Sequence, residues 1–182
     1  MLVLVVGPSG AGKDSLLNAA REAFRDDARI HFVRRVITRP RDHGRSDRGG
    51  EDHEPVTDAE FVVRDFALSW TAHGLHYGIP AEAMRAAPVV VANVSRGVIG
   101  EAAAHSAIHV IEVTAPPAVL AARLKARGRE SAGDVARRLS RSATIPDGVT
   151  VTTVYNDGSL AEGVERFVAA LRVALSGLDD GT

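Results

Sequence analysis

The chain has 182 residues, 45% of them hydrophobic and 25% charged, with 22 Lys+Arg against 23 Asp+Glu and a formal net charge of -1. That length suits one domain with at most a small inserted lobe. The balance counts against a disordered chain and against a general nucleic-acid coat protein. The absence of cysteine excludes disulfides, thiolate zinc sites and cysteine nucleophiles, and fits a reducing, cytoplasmic setting.

Leu2-Val3-Leu4-Val5-Val6 is an apolar run without alternation, the pattern of a parallel strand buried on both faces. It is too short for a signal peptide or a membrane span. Gly7-Pro8-Ser9-Gly10-Ala11-Gly12-Lys13 follows, and then a helix from Ser15 to Phe24 with Leu16, Leu17, Ala20 and Phe24 on one face. Strand, glycine loop and helix open an α/β unit. The texture changes between residues 30 and 80. Short strand-like pieces at Ile30–Val33 and Val36–Thr38 precede a polar, glycine-rich stretch from Arg41 to Glu54. A short helix is predicted over Thr57–Phe66 with Thr57 as N-cap, and Trp70–Ile79 reads as a hairpin or loop. Beyond it, strands are predicted at Val89–Val94, Ile108–Thr114 and Val149–Tyr155. Helices are predicted at Gly97–His105, from Pro116-Pro117 to Arg127, at Ala132–Thr144 and at Leu160–Leu175. This alternation predicts an α/β fold, a mostly parallel sheet flanked by helices. The expected division is a single domain over 1–182, with a core of 1–29 and 81–182 and an inserted acceptor-binding lobe at 30–80.

The loop carries the chemistry. Gly7-x-x-x-x-Gly12-Lys13 lets backbone N–H groups turn inward on phosphate oxygens, at the positive end of the helix that follows. Lys13, one of only two lysines beside twenty arginines, brings a full charge to the β- and γ-phosphates. The usual next residue is Ser or Thr, whose hydroxyl ligates Mg²⁺; here Asp14 stands there, followed by Ser15. Either Asp14 ligates Mg²⁺, directly or through water, or it points away and Ser15 or water serves. Downstream, Arg34, Arg35, Arg39, Arg41, Arg45 and Arg48 fall within fifteen residues. Opposite a phosphate loop, such forks would hold an anionic acceptor. Glu51, Asp52 and Glu54 either orient these arginines or bind sugar hydroxyls. The histidines show no metal-ligand spacing, and Trp70 with the phenylalanines reads as core.

At this point the chain resembles the guanylate kinase-like branch of the P-loop nucleoside monophosphate kinases. Gly7 to Lys13 matches its loop, and Thr38-Arg39-Pro40-Arg41 its acceptor-phosphate segment. Asp52 to Phe61 resembles its Asp-Tyr-x-Phe-Val segment with His53 in place of the tyrosine, and His73 to Gly78 its Gly-Asn-Tyr-Tyr-Gly segment, keeping Tyr77. Arg123, Arg127 and Arg138 match lid arginines (lid about 124–140), and Asn156-Asp157 the pair near the adenine. The departures redirect the reading. A guanine-reading glutamate is replaced by Leu68 or Ser69, and the strand Val91-Ala92-Asn93-Val94-Ser95-Arg96-Gly97 lacks the second acid. Guanine's N–H donors would be left unpaired, which disfavours the base.

Gly-Lys-Asp-Ser in the loop, Val-Ile-Thr-Arg-Pro after it and Asn-x-Ser-Arg-Gly in the middle strand resemble the ribose 1,5-bisphosphate phosphokinase (PhnN) family. That resemblance implies ATP-dependent conversion of ribose 1,5-bisphosphate into 5-phospho-α-D-ribose 1-diphosphate (PRPP), within phosphonate catabolism and with Mg²⁺ as cofactor. It places Gly7 to Ser15 and Asn156 on ATP, and Arg39, Arg41, His53 and Tyr77 on the acceptor phosphate. Asn93, Ser95 and Arg96 fall to the sugar or its second phosphate, and Lys13, Arg123, Arg127 and Arg138 to the transferring phosphoryl group. The implied partners are ATP and a small polyanionic sugar phosphate, with neither nucleic acid nor membrane; no oligomeric state follows. The competing readings are another nucleoside monophosphate kinase and a non-catalytic guanylate kinase-like binding module. The module is disfavoured by the intact loop lysine.

Overall fold

A computed structural model of the chain describes residues 1–39, 52–126 and 145–177. The predicted run becomes β1 (Leu2–Val6), all five of its residues buried. Its alternate side chains feed two separate cores. Val3 and Val5 join one cluster, and Leu2, Leu4 and Val6 join the other on the opposite face. This is the structural meaning of an apolar run without alternation.

The phosphate loop leads into α1 (Lys13–Ala23), whose Leu16, Leu17 and Ala20 are buried. β2 (Ile30–Phe32) follows. β7 (Val89–Asn93), β8 (Ile108–Thr114) and β9 (Thr150–Tyr155) complete a five-stranded sheet in the order β2-β7-β1-β8-β9. Every pairing in it is parallel. α1, α4 (Pro117–Ala126) and α5 (Leu160–Ser176) close one face around Phe167, Leu171 and Leu120. α5 begins at a capping box, Ser159 with Glu162, that satisfies the free N–H groups of its first turn. α3 (Ile99–His105) covers the other face through Ile99 and Ala102.

A second sheet of order β4-β3-β6-β5 stands at this face. It is built from β3 (Arg35–Thr38), β4 (His53–Val56), β5 (Phe66–Ala72) and β6 (Leu75–Pro80). Between β4 and β5 lies α2 (Asp58–Val62), capped by Thr57 and Glu60 in a capping box. The N-cap is where the sequence places it, but the helix is one turn long. Phe66 already belongs to β5. Trp70–Ile79 lies within the β5–β6 hairpin, which turns at His73 and Gly74, both at positive φ. Leu68 and Ile79 are buried in the second core cluster with Val33, so this small sheet shares its apolar interior with the main one.

One expected boundary moves. β2 pairs with β7 in the main sheet, and the small sheet begins at Arg35 rather than at residue 30. Phe32 packs against the core on the α1 side, which holds the strand there. The predicted helix Ala132–Thr144 and most of the expected lid lie outside the described residues.

His109 ties β8 to β9 through a 2.8 Å hydrogen bond between its Nε2 and Thr152 Oγ1. Burial pushes its pKa below the ordinary 6.5. The folded value therefore lies below the unfolded one. The contribution is complete above the unfolded pKa and declines as pH falls through the folded one. The wild type is expected to lose more thermal stability between pH 7 and pH 5 than His109→Gln does. Parallel melting curves for the two proteins would refute this.

Candidate active site

The C-terminal ends of β1 and β7 converge with the inner face of the small sheet on a cleft of about 500 Å³. Ligands bind at this edge of open parallel sheets because loops there diverge and helix N-termini point inward. One wall is the phosphate loop: Gly7, Pro8, Ser9, Gly10, Gly12, Lys13 and Asp14 all line the cleft. Lys13 curls back over the loop, its Nζ donating to the carbonyls of Gly7 at 2.7 Å and Pro8 at 3.2 Å. The ammonium is thus held beside the backbone N–H groups that would receive a phosphate.

The facing wall carries Arg35, Arg39 and Tyr77, and the end of β7 adds Asn93, Ser95 and Arg96. Tyr77 stacks on Trp70 with ring centroids 5.4 Å apart and planes 9° from parallel. The guanidinium of Arg35 sits 5.9 Å from the Tyr77 ring centroid, within cation–π range. Arg96 is anchored by an ion pair with Glu112 of β8, and Ser95 caps the following turn by accepting from Gly97 N. Four cations line the cleft, and Asp14 is the sole carboxylate lining it among the described residues.

Several expected residues lie elsewhere. His53 is 1% exposed and does not line the cleft, although it pairs with Arg35 across the β3–β4 ladder. Ser15 and Ala11 do not line the cleft either, and Ala11 is fully buried in the core beneath the loop. Asn156 is also buried: its Nδ2 donates to Ala11 O at 2.7 Å, so it braces the loop from behind. Arg123 donates to Asn156 O at 2.8 Å and caps that brace. Asn156→Ala should lower stability by about 1–3 kcal/mol, the cost of leaving a buried partner unpaired, and raise the KM for ATP. Denaturant unfolding with unchanged stability would remove it as a brace. Arg41, Arg127 and Arg138 lie outside the described residues.

Several cleft residues were not in the expected site set, Arg35 and Trp70 among them. Arg35 belongs to the arginine run expected to hold an anionic acceptor but had no individual role, and Trp70, expected in the core, packs against the second core cluster and also lines the cleft. Of the acids beside the arginine run, Asp52 and Glu54 pair with arginines. Asp52 accepts from Arg34 at 2.8 Å and from Arg21 at 3.0 Å, Glu54 pairs with Arg64 at 2.6 Å, and neither lines the cleft. The Arg64 guanidinium beside Glu54 holds its carboxyl below the usual range.

An Mg²⁺ ion with the nucleotide would need hard oxygen donors at the loop. Asp14 supplies a carboxylate there, and the buried Oδ1 of Asn93 beside it has no hydrogen-bond partner among the described residues. The residues present therefore fit that cation.

No protein-family model matches the chain. It is 53% identical over 145 residues to ribose 1,5-bisphosphate phosphokinase PhnN of Acidiphilium cryptum, covering 78% of this chain and 77% of that protein. It is 46% identical to the protein of the same name from Methylobacterium radiotolerans, over 94% of this chain and 97% of the relative. It is also 51% identical to a bifunctional ribose 1,5-bisphosphokinase-thymidine phosphorylase of Cupriavidus pinatubonensis, but spans only 29% of that longer protein. Among solved structures, guanylate kinase from Anaplasma phagocytophilum superposes with a TM-score of 0.62 at 16% identity, covering 96% of this chain and 85% of the other. A gluconokinase from Sinorhizobium meliloti gives 0.53 at 20% identity, covering 99% and 97%. These neighbours establish the P-loop kinase fold alone. Identity at this level across nearly the full length of stand-alone relatives establishes more: the chain belongs to the ribose 1,5-bisphosphate phosphokinase PhnN family.

Proposed function

We propose that the chain transfers the γ-phosphoryl group of ATP to the C1 phosphate of ribose 1,5-bisphosphate, giving PRPP and ADP. The observation that carries this reading is the charge of the cleft. Among the described residues, Lys13, Arg35, Arg39 and Arg96 face a single carboxylate, Asp14. Ribose 1,5-bisphosphate has two phosphates and no base, so its site needs cations and no base-reading acids. A guanine pocket needs acceptors for N1–H and N2–H₂, and neither Leu68 nor Ser69, one of which takes the place of such an acid, carries a carboxylate.

The acceptor oxygen belongs to a phosphate already ionised at neutral pH, so no general base is required. It attacks the γ-phosphorus, the bond to the β-phosphate oxygen breaks, and ADP leaves with the electron pair. The chain's part is alignment and charge stabilisation. The loop N–H groups and Lys13 hold the donor phosphates. Arg35 and Arg39 hold one acceptor phosphate against the Tyr77 ledge, and Arg96, fixed by Glu112, meets the second phosphate or the sugar. Asp14 would hold an Mg²⁺ ion from the protein side, and that ion would supply charge neutralisation of the donor phosphates. Arg127 and Arg138 are assigned to the moving phosphoryl group on the family resemblance. Arg127→Ala or Arg138→Ala is expected to lower kcat on the order of 10²- to 10³-fold, and unchanged turnover would remove the residue from this role. A place in the cytoplasm and in phosphonate catabolism accords with the family and with a chain lacking cysteine.

The discriminating experiment is a coupled assay of Arg39→Ala. Loss of affinity for ribose 1,5-bisphosphate with ATP affinity retained supports the acceptor assignment. Equal loss of both contradicts it.

A further inference from the structure

Asn93 ends β7, opposite Val5 of β1 and therefore beside the start of the phosphate loop. Its Nδ2 donates to Asp14 Oδ1 at 2.9 Å. The residue is 8% exposed, and its Oδ1 has no hydrogen-bond partner among the described residues. The amide cannot be turned over to relieve this, because oxygen would then face the carboxylate and two donors would point away from it. A buried amide oxygen without a donor is costly and rare. It is retained beside a loop that handles anions and their cations.

In phosphate-loop enzymes the metal is held by the hydroxyl that follows the loop lysine and by an acid on a neighbouring strand. Here the two chemistries have changed places. The acid is Asp14, on the loop. The neutral side chain is Asn93, at the end of the strand paired with β1. The pair carries one negative charge, as a Ser with an Asp would. Two carboxylates at this distance would repel, and two neutral groups would offer the cation no charge.

We infer that Asp14 and Asn93 form a charge-exchanged cation site, in which Asn93 is a positioning residue. Its Nδ2 fixes the Asp14 carboxylate toward the nucleotide-bound Mg²⁺, and its Oδ1 accepts from the water shell of the same ion. This inference rests on the kinase reading and deepens it. It also separates Asn93 from the sugar-binding role that the family resemblance gave it.

The test is a reciprocal exchange read by nucleotide binding. ADP affinity is measured calorimetrically for the wild type, Asp14→Asn, Asn93→Asp and the double exchange, each with Mg²⁺ and with EDTA. Mn²⁺ resonance spectra of the Mn–ADP complexes serve as a second readout. Melting temperatures establish that each variant is folded. Asp14→Asn is expected to reduce the Mg²⁺ enhancement of ADP affinity about 10- to 100-fold, the range that a lost metal-orienting contact costs. Asn93→Asp is expected to alter the Mn²⁺ spectrum and to destabilise the metal-free protein. The double exchange, which restores one charge and one donor, is expected to recover most of the enhancement. An unchanged enhancement in Asp14→Asn overturns the inference, as does a double exchange no better than the worse single variant. A wild type that binds no ADP overturns the kinase reading itself, which is a different failure. If Oδ1 is satisfied only by a water in the small cavity shared with Asn18, Arg21 and Arg35, the single variants lose stability and the Mg²⁺ enhancement does not move. That result also overturns the inference.

Discussion

Lys13→Met is expected to lower kcat on the order of 10²- to 10³-fold, the loss seen when one preorganised charge stabiliser is removed, with little change in melting temperature. The lysine is part-buried and hydrogen-bonded to the Gly7 and Pro8 carbonyls, so methionine can follow a similar path along the loop without its charge. Those hydrogen bonds hold the ammonium at the loop mouth before nucleotide arrives, which spares the cost of ordering a long flexible side chain during the reaction. Because the charge develops mainly on the moving phosphoryl oxygens, the deficit should fall on kcat more than on the KM for ribose 1,5-bisphosphate. A variant that keeps kcat within threefold would mean that the loop does not hold the donor.

The largest expected effect on folding belongs to Gly7→Ala. Gly7 lies at φ +146°, and a Cβ there would stand 2.0 Å from the carbonyl oxygen of Val113. Val113 lies within β8, in register with Val154 of β9, so its backbone cannot shift without disturbing the sheet. The expected cost is at least roughly 3 kcal/mol, the upper part of the range for single substitutions. Gly74 provides the comparison. It also has positive φ, +72°, but a Cβ on it would meet nothing within 4 Å. Gly74→Ala should therefore cost only about 1–2 kcal/mol, the conformational term alone. Denaturant unfolding of the two variants separates conformation from collision, and equal losses would show that the close approach to Val113 carries no energy.

The main sheet was legible because its signals are local. An unbroken apolar run can only be a strand covered on both sides, and a glycine loop that opens a helix marks the edge where the site must lie. The residues misplaced by sequence reasoning are those whose role depends on register. Arg34 and Arg35 are adjacent, yet one turns outward to Asp52 and the other inward to Tyr77. A period of two separates them, but a window of sequence does not say which member faces in. His53 and Asn156 took their expected roles from motif positions, and the structure buries both. Trp70 packs against the second core cluster, as its type suggests; its added stacking on Tyr77 in the cleft follows from the folded β5–β6 register. Asn93 shows the converse. The sequence marked it by a missing acid, and its partner became visible only when β7 was set beside β1.

On the proposed reading, this cleft passes a phosphoryl group from ATP to a base-free sugar bisphosphate. The most direct measurement incubates the purified protein with Mg-ATP and either ribose 1,5-bisphosphate or GMP, and follows ADP and PRPP together. The cleft chemistry predicts stoichiometric ADP and PRPP from the sugar and little turnover of GMP. Rapid phosphorylation of GMP, with no PRPP from the sugar, would contradict it and would mean that guanine is read by groups other than the carboxylates this cleft lacks.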